Sequence, residues 1–172
     1  MNNSSTPGAR APDFASLLWW LTTLGWAGLI FYLSTGTFGG SFTAWLLGQA
    51  LDLLHISVAP STFTLLHQGL RKLAHLTEYA MFALLLYGGL SGGKQFVWRA
   101  RRAVQCIAIA ALYSLTDELH QSFVPGRGAS LVDCSIDTAG AALAMLVLYA
   151  SSRISQTRAR RIAAKNDNPA ET

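Results

Sequence analysis

Four stretches of this chain stay apolar for about 18 residues or more, enough helix to cross a bilayer core: residues 16–34, 73–90, 103–120 and 131–149. The first has no charged side chain and carries Trp19, Trp20, Trp26 and Tyr32, aromatics of the kind that anchor helix ends at the lipid interface. Only Arg10 precedes it and no small-residue cleavage site follows, so it is expected to be a retained anchor rather than a signal peptide. Between the first two runs, residues 35–71 are too long for a turn. There, Trp45, Leu46, Leu53 and Leu54 mix with Gln49, Asp52 and His55 at roughly helical spacing, which predicts a surface amphipathic helix or a re-entrant piece, ended by Pro60. The pattern as a whole predicts an all-α polytopic membrane protein with four transmembrane helices and an amphipathic or re-entrant segment between the first and second. Residues 1–15 are expected to form a disordered N-terminus, 16–151 a single transmembrane domain, and 152–172 a basic cytoplasmic tail whose last polar residues, 166–172, are disordered.

Composition supports the membrane class: 51% of residues are hydrophobic and 13% charged. The net charge of +4 does not mark a nucleic-acid binder, because nine of the 13 Lys and Arg lie in two short segments flanking apolar runs, 94–102 and 153–165. Such clusters mark cytoplasmic connections, so both termini are expected inside, and Arg71, Lys72 and Arg127 outside. Cys106 and Cys134 sit in apolar segments, where cysteine behaves as a small hydrophobe.

That topology gathers the remaining polar residues at the outer face. Lys72, His75 and Tyr79 share one side of the second span by helical spacing, with Glu78 beside them. Near the end of the third, Tyr113, Ser114, Asp117, His120 and Gln121 form a stripe, while Glu118 points about 100° away. Asp133, Asp137 and Gly140 align at the start of the fourth, and Ala144 continues a line of small residues that lets a neighbouring helix come close. Three polar stripes at one depth are expected to face a single pocket. A charge at the centre of a span costs on the order of 2.5–3.5 kcal/mol on insertion scales, which argues for a site over mere packing.

The motifs Lys72-x-x-His75-x-x-x-Tyr79, Asp117-Glu118-x-His120-Gln121-x-Phe123-x-Pro125-Gly126-Arg127 and Asp133-x-x-x-Asp137-Thr138-x-Gly140 resemble the VanZ-like family of bacterial membrane proteins. The family takes its name from a protein associated with resistance to the glycopeptide teicoplanin. The resemblance covers residues 71–148 and implies a small multi-span protein of the cell envelope, without bringing a reaction. The family more usually has Asn at the position of Asp137, so this chain adds a negative charge there.

Two chemistries stay open. In one, His75, Asp117, His120 and Asp133 are catalytic acid–base or orienting groups, and Lys72, Tyr79, Gln121, Arg127 and Asp137 bind a lipid-linked phosphate or phospholipid head group. In the other, the same groups hold an envelope precursor, an antibiotic or an ion without turnover. A bundle merely locked by ion pairs is the bland alternative. No cofactor is assigned; Asp117, His120, Asp133 and Asp137 offer hard donors to a divalent cation, but without a full ligand motif. The partners expected are the lipid bilayer and a lipid-linked precursor, with no nucleic acid.

Overall fold

The computed structural model describes residues 14–35, 40–93, 97–124 and 129–167, with side chains described up to residue 162. The described residues form five helices: α1 (Phe14–Leu33), α2 (Gly40–Leu53), α3 (Pro60–Leu90), α4 (Ala100–Gln121) and α5 (Leu131–Asp167). Three of them, α1, α3 and α5, are long and apolar enough to cross a membrane. Expected as the third span, α4 has the length, 22 residues, but falls short in hydropathy. Asp117, Glu118, His120 and Gln121 crowd its last two turns, and Gln105 interrupts its first half.

The all-helical expectation holds, with three changes of boundary. Pro60 does not end the amphipathic segment; it opens α3 in the first helical turn, where its missing N–H is one that any helix start leaves free. From there α3 runs unbroken for 31 residues, about 46 Å at 1.5 Å per residue. His67, Gln68, Arg71 and Lys72 lower the hydropathy of its first half without lowering its helical propensity, so the span read as starting at Leu73 is the second half of a longer helix. The basic tail is likewise no separate element, since no Gly or Pro follows Tyr149 within α5 and the helix continues to Asp167. At the termini, Phe14 and Ala15 already belong to α1 and residues 166–167 to α5; the expected disorder of residues 1–13 and 168–172 lies outside the described residues.

At the centre stands α3, packed against α1, α4 and α5. Tyr79, Phe82, Ala83, Leu86 and Tyr87 of α3 fill the core with Cys106 and Ala110 of α4 and Ala141, Ala144 and Met145 of α5. The tryptophans of α1 do more than mark a lipid interface. Trp19 and Trp20 pack against Gly88 and Gly89, and the Trp26 indole N–H donates to the Glu78 carbonyl at 3.0 Å. From α4 the Tyr113 hydroxyl donates to the Ala27 carbonyl at 2.6 Å, so α1 is tied to two helices through its backbone and its rings.

Far from the polar stripes, the α3–α4 connection is pinned by one buried tyrosine. The Tyr87 hydroxyl donates to the Val97 carbonyl and accepts from the Arg99 N–H, both at 2.8 Å. By contrast α2 packs chiefly on α3, buries none of its own residues and exposes Phe42, Trp45 and Leu46. It closes at His55, whose positive φ of 55° supplies the left-handed step that often ends a helix.

Candidate functional site

The site is built on the crossing of α3 and α5, which Gly140 makes possible. A Cβ at Gly140 would lie 2.2 Å from the Leu76 carbonyl oxygen, so only a residue without one lets the two backbones touch. One turn before Gly140 on α5, and one residue before Leu76 on α3, this contact brings Asp137 against His75. His75 Nδ1 is 3.1 Å from Asp137 Oδ1, and the Ser114 hydroxyl of α4 donates to Asp137 Oδ2 at 2.5 Å. Asp137 is 0% exposed, yet both its oxygens are satisfied. The tautomer of His75 that carries its proton on Nδ1 donates to this carboxyl and leaves Nε2 free.

The end of α4 supplies two further carboxyl groups with divided roles. Asp117 and Glu118 are each 4% exposed. The Gln121 amide donates to Asp117 Oδ2 at 2.9 Å and to the Ser34 hydroxyl at 2.7 Å, tying α4 to the end of α1. Glu118 turns the other way, as its helical angle predicts. Its Oε2 accepts from the Ser130 N–H at 2.6 Å, and the Ser130 hydroxyl accepts from the Asp133 N–H at 3.2 Å. Ser130 is therefore the N-cap of α5, and Glu118 fixes the point from which Asp133 and Asp137 project. Ser130→Ala is expected to lower thermal stability in detergent by about 1 kcal/mol, as cap removal usually does. An unchanged melting curve would show that Glu118 alone sets the start of α5.

Two cavities meet at His75. The inner one, about 140 Å³, has a polar wall of Ser34, Arg71, His75, Glu78, Asp117 and Gln121. The rest of its lining is largely apolar, with Ile30 and Leu33 from α1, Phe42 from α2 and Leu70 from α3. The outer one, about 90 Å³, is lined by Gln68, Arg71, Lys72, His75 and Asp133. Each has room for several waters or a small polar group. Across the inner cavity α2 is fastened by Thr43, whose hydroxyl lies 2.7 Å from His67 Nε2.

Most of the residues singled out from the sequence are thus brought together: Lys72, His75, Asp117, Gln121 and Asp133 line the cavities, and Asp137 holds His75 from behind. Tyr79 stays close but takes a different place. It is 0% exposed in the core beneath the site, its ring 6.4 Å from that of Tyr113, and its hydroxyl has no partner among the described residues. His120 stands apart. Its ring packs on Phe31 of α1 at 4.4 Å between centroids, and it lines neither cavity. Arg127 lies outside the described residues. Nor do Asp117, His120, Asp133 and Asp137 assemble into a donor set: among the described residues no group of three or more His, Cys, Asp or Glu is placed to hold a metal ion.

The model of the VanZ/LLP1 family matches residues 19–153. The chain belongs to the VanZ/LLP1 family. No curated protein and no solved structure matches it. The VanZ/LLP1 match extends well beyond the motifs at 71–148 and takes in α1 and α2, the two helices that supply Ser34, Phe42 and Thr43 to the inner cavity.

Sequence reasoning assigned no site role to Arg71, Ser114 or Ser34. Arg71 is adjacent to Lys72 and was read only as an orientation charge, yet it lines both cavities. Its position four residues before His75 was the signal available, since that spacing puts both on one helical face. Ser114 stood in the α4 stripe, three residues before Asp117, and its hydroxyl is what completes Asp137. Ser34 carried no signal, because nothing in the pattern of α1 shows which helix its end will meet.

Proposed function

We propose that this VanZ/LLP1 protein is a four-span protein of the bacterial plasma membrane, with both ends cytoplasmic. Its outer-face pocket carries out acid–base chemistry on the phosphate of a lipid head group or lipid-linked envelope precursor. In this topology α4 is the remaining span: it packs beside α3 and α5 over a comparable length and turns its polar end into the bundle rather than toward lipid. The single observation behind the chemistry is the Ser114–Asp137–His75 chain, which aims an oriented imidazole into two cavities shared with Arg71.

The parts then have defined tasks. Asp137 holds Nδ1–H and stabilises the imidazolium that forms, as carboxylates do behind catalytic histidines. Nε2 takes a proton from water or a hydroxyl as that oxygen bonds to phosphorus; the P–O ester bond breaks, and the departing oxygen receives a proton from the imidazolium. Arg71 and Lys72 neutralise the phosphate oxygens, Arg with the planar fork that suits them. Changed envelope lipids would then link the protein to glycopeptide tolerance, including tolerance of teicoplanin.

Purified protein incubated with phospholipids and a polyprenyl diphosphate, with products read by mass spectrometry, tests this directly. His75→Gln is expected to lower turnover by about 10²-fold or more, and Arg71→Ala to raise the lipid concentration needed for half-maximal rate. Saturable lipid binding with no product would remove the catalytic half of the proposal and leave a binder.

A further inference from the structure

Asp117 lines the inner cavity with one oxygen, Oδ1, left without a hydrogen bond. Oδ2 accepts from Gln121, whereas Oδ1 has no hydrogen-bond partner among the described residues, although the side chain is 4% exposed. A carboxylate oxygen withdrawn from water and left without a donor is costly, and the cost is removed when a ligand brings the donor. Arg71 lines the same cavity. One small space is therefore lined by a cation and by a carboxyl group with an unsatisfied oxygen, with Glu78 adding a second carboxylate.

That charge pattern fits a zwitterion better than a simple anion. Resting on the reading of the pocket as a phosphate-head-group site, we infer that its ligand carries a primary amine beside the phosphate, as a phosphoethanolamine group does. Its phosphate lies against Arg71 and its ammonium donates to Asp117 Oδ1. An ammonium offers three N–H donors and no acceptor, the complement of a bare carboxylate oxygen. A phosphocholine group has the charge without a donor, and a phosphoglycerol group has hydroxyl donors without the charge. The apolar lining of Ile30, Leu33, Phe42 and Leu70 suits the glycerol and first acyl carbons of a lipid that carries the group. Asp117 is then a specificity residue, distinct in role from the His75–Asp137 pair.

The test is a head-group series on the full-length protein in detergent, with binding followed by calorimetry. Short-chain phosphatidylethanolamine, its mono-, di- and trimethylated forms, short-chain phosphatidylglycerol and water-soluble phosphoethanolamine are the probes. Ethanolamine lipid is expected to bind about tenfold or more tighter than choline or glycerol lipid, the worth of one charge-assisted hydrogen bond, with affinity falling at each methylation. Tighter binding of the lipid than of soluble phosphoethanolamine identifies the source as membrane lipid; equal affinity of the two keeps the amine–phosphate chemistry and makes the source soluble. Asp117→Asn is expected to abolish the preference for ethanolamine. Because the methylation series needs no variant, it decides the matter even where that substitution impairs folding. Equal affinity for all head groups overturns the amine and leaves the phosphate site standing, whereas failure of every phosphate probe to bind overturns both.

Discussion

Gly140→Ala is expected to disable the protein through a single methyl group. The added Cβ would stand 2.2 Å from the Leu76 carbonyl oxygen, 2.9 Å from its carbonyl carbon and 3.1 Å from its Cα. These are backbone atoms, so no rotamer change relieves the clash and α3 and α5 must separate. Overpacking of this kind costs about 1–3 kcal/mol. Here the separation also pulls on the 3.1 Å contact between His75 and Asp137, which lie beside the crossing on either helix. Uncoupling a buried charge from its partner costs about 3–5 kcal/mol more. Gly28→Ala is the matched control, because nothing lies within 4 Å of a Cβ there; its effect is expected to stay within about 0.5 kcal/mol. Thermal unfolding of both variants in detergent, with lipid binding measured on whatever folds, separates the outcomes. A Gly140→Ala protein as stable and as active as the control would show that the α3–α5 crossing does not frame the site.

How much of this was legible beforehand depends on which interactions are local. The line Asp133, Asp137, Gly140, Ala144 predicted a close helix contact, and the clash at Leu76 shows that it makes one. Helical angle alone separated Asp117 from Glu118, and the two do take different tasks, one in the cavity and one capping α5. Facing of helices was the weaker inference. His120 shares the α4 stripe with Asp117 and Gln121, but a stripe three residues wide meets two neighbours. Its edge fell on Phe31 of α1 instead of the cavity. Hydropathy also misplaced the start of α3, since a window that averages over Arg71 and Lys72 reports where a helix is apolar, not where it is helical. Contacts between distant segments left no trace in the pattern. Gln121 with Ser34 and Tyr113 with Ala27 are separated by 87 and 86 residues, and only the fold decides that they meet.

The second large effect belongs to Asp137, where two substitutions divide structure from chemistry. Asp137→Ala removes the acceptor shared by His75 and Ser114 and leaves both polar groups facing a void, so a loss of about 3–5 kcal/mol and poor yield of folded protein are expected. Asp137→Asn keeps the shape. Its amide oxygen still accepts from His75 Nδ1–H, and its NH₂ faces a Ser114 hydroxyl free to rotate and accept. Stability is therefore expected to stay within about 1.5 kcal/mol of the parent, the worth of one neutral hydrogen bond. What the amide cannot do is stabilise the imidazolium formed when Nε2 takes up a proton. Turnover should fall by about 10²-fold or more while the lipid concentration for half-maximal rate hardly moves, the mark of a group that acts on the transition state through His75 rather than on the bound lipid. The same pair of proteins reads out what the charge of Asp137 adds. Equal turnover in parent and Asp137→Asn would mean that holding the ring in place is sufficient, and would leave Asp137 with orientation as its whole contribution.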